Sequence, residues 1–170
     1  MLLAKLVASR STCKSRPTGA VITKNKIIIS TGYNGAPSGD QDCLTLGGCF
    51  RRIHSLEEGK LDKYKDCLSL HAEQNAINFA GRSNTIGSTL YSTLHPCKNC
   101  AKQIVANGIK RVVYETHYDS RNKERDEDWA KYLSNHGVEI SSISLQQQTI
   151  LKVLEMIINE TSPRRLAPTE

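Results

Sequence analysis

Apolar residues recur along the chain in two rhythms, and the switches between them mark out the elements. Leu2, Leu3, Leu6 and Val7 fall on one side of a helix over residues 1–12, which starts at the first residue and reads as a shortened one. Two apolar runs follow, Gly19-Ala20-Val21-Ile22-Thr23 and Ile27-Ile28-Ile29-Ser30-Thr31-Gly32, separated by Lys24-Asn25-Lys26. That spacing predicts a β-hairpin with a tight turn centred on Asn25, and its apolar content predicts a core element. From His71, HAEQNAINFAG returns to helical spacing through Ala72, Ala76 and Phe79 or Ala80 and stops at Gly81. Residues 88–93 then read as a third strand, 96–108 as a helix, 109–114 as a fourth strand, 127–136 as a helix and 138–140 as a short fifth strand. Ile150, Leu151, Leu154, Ile157 and Ile158 place a last amphipathic helix at 145–160, followed by a flexible tail at 161–170. Strands alternating with helices after residue 71 imply parallel pairing, whereas the opening hairpin is antiparallel. The expectation is α/β, with a mixed five-stranded sheet and helices on both faces.

Three stretches break the rhythm. Residues 33–39, rich in Gly, Pro, Asn and Ser, form a loop whose glycines let backbone approach a ligand, although an ordinary turn has the same composition. Residues 40–70 are long, polar and weakly periodic, and carry Cys43, Cys49 and Cys67. So long a structureless stretch is unusual inside a compact domain, and a bound metal would hold it. Residues 119–128 carry both signs of charge and read as a solvated loop. The resulting division is a domain over 1–140, with 40–70 as an insertion, and a helix with its tail over 141–170.

Composition narrows the class. At 170 residues the chain is long enough for one real core. No run approaches the roughly 18 apolar residues of a membrane span. The Met1-Leu2-Leu3-Ala4-Lys5 start is too short and mixed for a secretory signal, so the expected compartment is the cytoplasm, that of a host if the chain is viral. Six cysteines in a reducing compartment point to metal rather than disulfides. A net charge of +6 suits anionic ligands. The basic residues form no dense stripe with interleaved aromatics, so no stable nucleic-acid partner is expected.

Two segments carry chemistry: His71-Ala72-Glu73 and Pro96-Cys97-Lys98-Asn99-Cys100. His71, Cys97 and Cys100 are three soft or borderline ligands of the kind zinc takes, and three ligands leave a fourth position open. A zinc held so keeps a water and lowers its pKa from about 15.7 towards 7. Glu73 is then the proton shuttle. Both ligand groups fall at helix starts, where the N-terminal partial charge favours thiolates. A CxxC alone could equally be a structural zinc knuckle or a redox pair. Its combination with His-x-Glu, in this order, is the signature of zinc-dependent nucleobase deamination. The other four cysteines, Cys13, Cys43, Cys49 and Cys67, are the number a closed structural zinc site requires, with His54 as an alternative fourth ligand. Free buried thiols are the other reading.

Several blocks carry a resemblance: Arg10-Ser11-Thr12-Cys13 leading into Gly19-Ala20-Val21-Ile22, Gly32-Tyr33-Asn34-Gly35-Ala36-Pro37-Ser38-Gly39, the His71–Ile77 block, and Pro96–Lys102 followed by Gly108–Tyr114. Across residues 5 to 140 the chain resembles the cytidine deaminase superfamily, in its deoxycytidylate deaminase branch. The resemblance implies a three-layer α/β/α fold, hydrolysis of dCMP to dUMP with release of ammonia, and a homohexamer. It also implies activation by dCTP and inhibition by dTTP, with Mg2+ on the triphosphate. Zinc falls to His71, Cys97 and Cys100, and proton transfer to Glu73. Asn34 matches the asparagine that contacts the sugar hydroxyl. Arg16 is the candidate for the phosphate, and Tyr118 for the same pocket. Gly32, Tyr33 and Gly35 lie in the segment that matches the effector site, and some members carry a second, structural zinc. His95 stands where many relatives have Glu, either touching substrate or filling space. Rival readings are a tRNA or other nucleic-acid adenosine or cytosine deaminase, and a zinc-stabilised nucleic-acid-binding module.

Overall fold

The computed structural model describes residues 1–53, 67–117 and 123–160. Its strands are β1 Gly19–Lys24, β2 Ile27–Tyr33, β3 Thr89–Leu94, β4 Arg111–Thr116 and β5 Glu139–Ser142, and they build one sheet in the order β2-β1-β3-β4-β5. β1 pairs antiparallel with β2 and with β3, while β3, β4 and β5 run parallel, so the sheet is mixed as expected. Asn25 and Lys26 both adopt positive φ, 52° and 65°, between the paired Lys24 and Ile27. That is the type I′ two-residue connection, whose twist matches the strands it joins.

The helices are α1 Leu2–Ala8, α2 Phe50–Ile53, α3 Ala72–Ala80, α4 Arg82–Thr85, α5 Lys98–Ala106, α6 Lys123–Asn135 and α7 Gln147–Glu160. Two glycines set the layers. A Cβ on Gly19 would lie 2.1 Å from the Ala4 carbonyl oxygen, and one on Gly32 would lie 2.3 Å from that of Ala72. Gly32 is paired with Ala20, the neighbour of Gly19. Successive residues of a strand face opposite sides, so α1 and α3 cover opposite faces. The chain therefore has the three-layer α/β/α architecture expected from the resemblance. Both helices approach backbone to backbone, which only glycine beneath them allows. The main core lies on the α3 side, where Ile22, Leu90, Ile104, Val112 and Leu133 are fully buried among the alanines of α3. Each such aliphatic side chain contributes about 1.5–3 kcal/mol by leaving water.

Several expectations are corrected. The hairpin is only half core: β1 is buried, whereas Ile27 and Ile28 are 65% and 55% exposed because β2 is the sheet edge. The first helix ends at Ala8 rather than near residue 12, and Leu6 is exposed, because contact with Gly19 is made through small Ala4. The stretch expected as a charged loop is helical from Lys123 onward; residues 119–122 lie outside the described residues. β5 runs to Ser142, so the sheet crosses the domain boundary expected at residue 140. The insertion contains a helical turn, α2, and the amphipathic α7 leaves Leu151, Met156, Ile157 and Ile158 exposed. Among the described residues no helix is long and apolar enough to cross a membrane.

Candidate active site

Sheet topology brings two helix starts together. β1 ends the hairpin beside β3, and β3 delivers His95 and Pro96 to the first turn of α5. His71 is the N-cap of α3, in extended backbone, and its N–H donates to Gln74 Oε1 at 2.9 Å, one half of a capping box. Cys97 is the N-cap of α5, and its carbonyl accepts from the Ala101 N–H at 2.8 Å. Cys100, one turn on, is fully buried. Each ligand thus sits at a point where the backbone is fixed by the helix it opens.

His71 Nδ1 lies 3.4 Å from Cys97 Sγ and 3.4 Å from Cys100 Sγ. A tetrahedral zinc with Zn–S near 2.3 Å and Zn–N near 2.05 Å requires an N···S separation of about 3.6 Å. The triad therefore fits zinc. Among the described residues it is the one group of three His, Cys, Asp or Glu side chains with ligand atoms within 4.8 Å of one another. The hydrogen bond from Cys100, followed by that from His71, pushes the Cys97 thiol down to about 4. Cys100 keeps the proton it gives Cys97 and is pushed up, with burial acting the same way. His71 is raised chiefly by its bond to Cys97. A cation entering here displaces those protons.

Glu73, in the first turn of α3, is buried at 3% exposure. Ser92 Oγ donates to its Oε1 at 3.3 Å, and burial raises the carboxyl above the usual carboxylate range. A carboxyl so placed can both take and return a proton. Beside it, His95 is buried, and its Nδ1 is 2.9 Å from the Pro96 carbonyl oxygen. A carbonyl only accepts, so Nδ1 carries the hydrogen. Tyr114 packs edge-on to this ring, with centroids 4.7 Å apart, and His117 lies parallel to it.

Arg16 and Asn34 line the same cavity as His71, Glu73 and Cys97. Asn34 Oδ1 accepts from the Thr18 N–H at 2.8 Å and from Ser11 Oγ at 2.6 Å, and its Nδ2 donates to the Arg16 carbonyl at 2.8 Å. The amide thereby fixes the segment carrying Arg16 and keeps one N–H for a ligand oxygen. Arg51 and Arg52 of α2 also line this cavity, and the sequence reading missed them. Adjacent arginines between Cys49 and Cys67 were the signal, obscured by the cysteines around them.

The remaining candidates divide. Cys13 and Cys67 line the cavity, and Cys43 and Cys49 are buried elsewhere in the insertion. All four are free thiols, and no three of them come within 4.8 Å as ligands. His54 and Tyr118 lie outside the described residues. Gly32, Tyr33 and Gly35 all line an outer groove beside β2, and Gly32 also sits against α3. The Gly35 and Leu70 backbones exchange hydrogen bonds at 3.2 and 2.9 Å, and Asn75 Nδ2 donates to the Tyr33 carbonyl at 2.8 Å. The loop is thus tied to the residue preceding His71.

Known proteins are similar to this chain. The chain is 39% identical over 149 residues to the deoxycytidylate deaminase of Saccharomyces cerevisiae, covering 87% of this chain and 45% of the yeast protein. It is 42% identical over 115 residues to that of Mycobacterium phage D29, covering 66% of this chain and 88% of the phage protein. Among solved structures it resembles the dCMP deaminase of cyanophage S-TIM5 in complex with dCMP and dUMP, with a TM-score of 0.61 and 32% identity over 83% of this chain and 91% of that one. The family model for the cytidine and deoxycytidylate deaminase zinc-binding region matches residues 1–116, and the chain belongs to that family.

Proposed function

We propose that this protein hydrolyses dCMP to dUMP and ammonia. The observation carrying the proposal is the His71 Nδ1 position, 3.4 Å from both thiol sulfurs, with buried Glu73 on the wall of the same cavity. Likeness to deoxycytidylate deaminases, one of them solved with dCMP and dUMP, supports the choice of substrate. When bound by His71, Cys97 and Cys100, zinc supplies a Lewis acid that makes water nucleophilic at neutral pH. Glu73 takes a proton from the attacking water and delivers it to N3 of the cytosine. It then carries a proton to the amine at C4, so the C4–N4 bond breaks with ammonia as leaving group. Its raised pKa suits a group that must hold a proton between those steps. Asn34 donates its remaining N–H to the sugar, and Arg16 with Tyr118 meets the phosphate end.

The reading extends to regulation. dCTP activates and dTTP inhibits, each with Mg2+, at the loop containing Gly32, Tyr33 and Gly35, whose hydrogen bonds to Leu70 and Asn75 give effector binding a short route to His71. The working form is a cytoplasmic homohexamer, the deaminase domain running through β5 and the residues beyond it an appendage.

The test is parallel incubation with dCMP, cytidine, a tRNA hairpin and single-stranded DNA, following the cytosine absorbance band and released ammonia. dCMP is expected to be consumed fastest, faster with dCTP and slower with dTTP. Deamination of the hairpin or of DNA without turnover of dCMP would overturn the proposal.

A further inference from the structure

The cavity holds more positive charge than a zinc triad and one acid explain. Among the described residues Arg16, Arg51 and Arg52 all line it, against a single buried carboxylic acid, Glu73. A nucleobase and a deoxyribose are uncharged and need no such field. Arginine forks match phosphate oxygens two at a time, so three guanidiniums in one cleft point to a dianion.

Arg51 and Arg52 do not reach this wall by accident of a loose loop. The N–H groups of Arg52 and Ile53 donate to the carbonyl of buried Cys49 at 2.8 and 3.0 Å, which forms the turn of α2. Lys14 Nζ donates to the Gly47 carbonyl at 3.1 Å, tying the start of this stretch to the segment that carries Arg16. Arg51 Nε is buried and has no hydrogen-bond partner among the described residues. A buried guanidinium N–H left unpaired is costly, and the residue that carries it lines the cavity.

We infer that Arg51 and Arg52 are specificity-determining residues that, with Arg16, hold the 5′-phosphate of the substrate in this cavity and so select a nucleotide over a nucleoside. The inference rests on the dCMP reading above and deepens it by giving the insertion a role in substrate choice. Arg51 makes the buried contact, and the more exposed Arg52 closes over the phosphate from the rim.

The test uses the zinc-loaded full chain and its variants Arg51→Gln, Arg52→Gln and Arg51→Lys, with zinc content and melting temperature as controls for folding. Steady-state kinetics on dCMP and on deoxycytidine separate phosphate recognition from chemistry. Arg51→Gln is expected to lower kcat/KM for dCMP at least 10-fold, mainly through KM, and to leave deoxycytidine within twofold. Arg51→Lys should recover part of the loss, and Arg52→Gln should show a smaller effect of the same kind. Equal losses on both substrates, or no loss on dCMP, would overturn the inference, and Arg52→Gln decides the matter should Arg51→Gln fail to fold. Binding of dUMP and deoxyuridine by calorimetry keeps the two readings apart. Arg51-dependent affinity for dUMP in a protein that releases no ammonia from dCMP would sustain the phosphate grip while removing the proposed reaction.

Discussion

Glu73 and the three ligands divide the chemistry so that single substitutions can tell them apart. Glu73 is buried and contacts Ser92, and it is not in the metal-fitting triad. Glu73→Gln keeps the shape and removes the proton acceptor. Turnover of dCMP should fall by about 10²–10⁴-fold, the usual weight of a positioned acid–base group, while zinc content stays at the wild-type level. Metal analysis beside the rate assay checks this, since zinc lost along with activity would make Glu73 a ligand. Cys97→Ala removes the sulfur 3.4 Å from His71 Nδ1, leaving two ligands where the site needs three. Both zinc and turnover should go. Asn34 differs again: its amide holds Thr18, Ser11 and Arg16 in place, so its loss would disturb the cavity wall as well as the proposed sugar contact.

At the level of elements, close packing places the site. Gly32 lets β2 run directly beneath the first turns of α3, and Cβ growth there meets the Ala72 oxygen at 2.3 Å and the Ala76 nitrogen at 2.4 Å. Gly32→Ala must push α3 outward, and His71 and Glu73 move with it. The expected cost is about 1–3 kcal/mol of stability. On a chain of this size that is a fall of several degrees in melting temperature by scanning calorimetry, with activity reduced further. At the hairpin turn the sign reverses. Lys26 sits at φ 65°, where a β-carbon is strained, and its place in the turn is exposed. Lys26→Gly should raise the melting temperature slightly, by about 0.5–1 kcal/mol of stability. These two positions also show what the chain disclosed before its fold was known. The hairpin, the starts of α3 and α5 and the metal triad were legible because each rests on local rules of period, capping and ligand spacing. The exposure of β2 was not, because an apolar run looks alike at the edge and the centre of a sheet; only the order β2-β1-β3 decides it. Nor were Arg51 and Arg52, whose place in the wall of the cavity that Glu73 also lines depends on contacts across distant parts of the chain.

For the whole molecule, the open question of composition is how six cysteines are shared. Cys97 and Cys100 complete one ligand set with His71. Cys13, Cys43, Cys49 and Cys67 would need to supply four sulfurs to one point, and in the described geometry they do not converge: Cys13 and Cys67 border the cavity, while Cys43 and Cys49 are buried apart from it. A structural zinc draws its ligands into a tetrahedron about 2.3 Å in radius and contributes directly to folding. One complete set among the described residues, which leave out His54, sets the expectation of one zinc per chain. Elemental analysis of the purified protein should therefore give one equivalent, lost on Cys97→Ala and untouched by Cys43→Ala or Cys67→Ala. Two equivalents, with one removed by either of the last two substitutions and the melting temperature falling alongside, would mean that the insertion closes around a second ion. The arginines of α2 would then owe their position to that metal, and removing it should weaken dCMP binding before it affects turnover at saturating substrate.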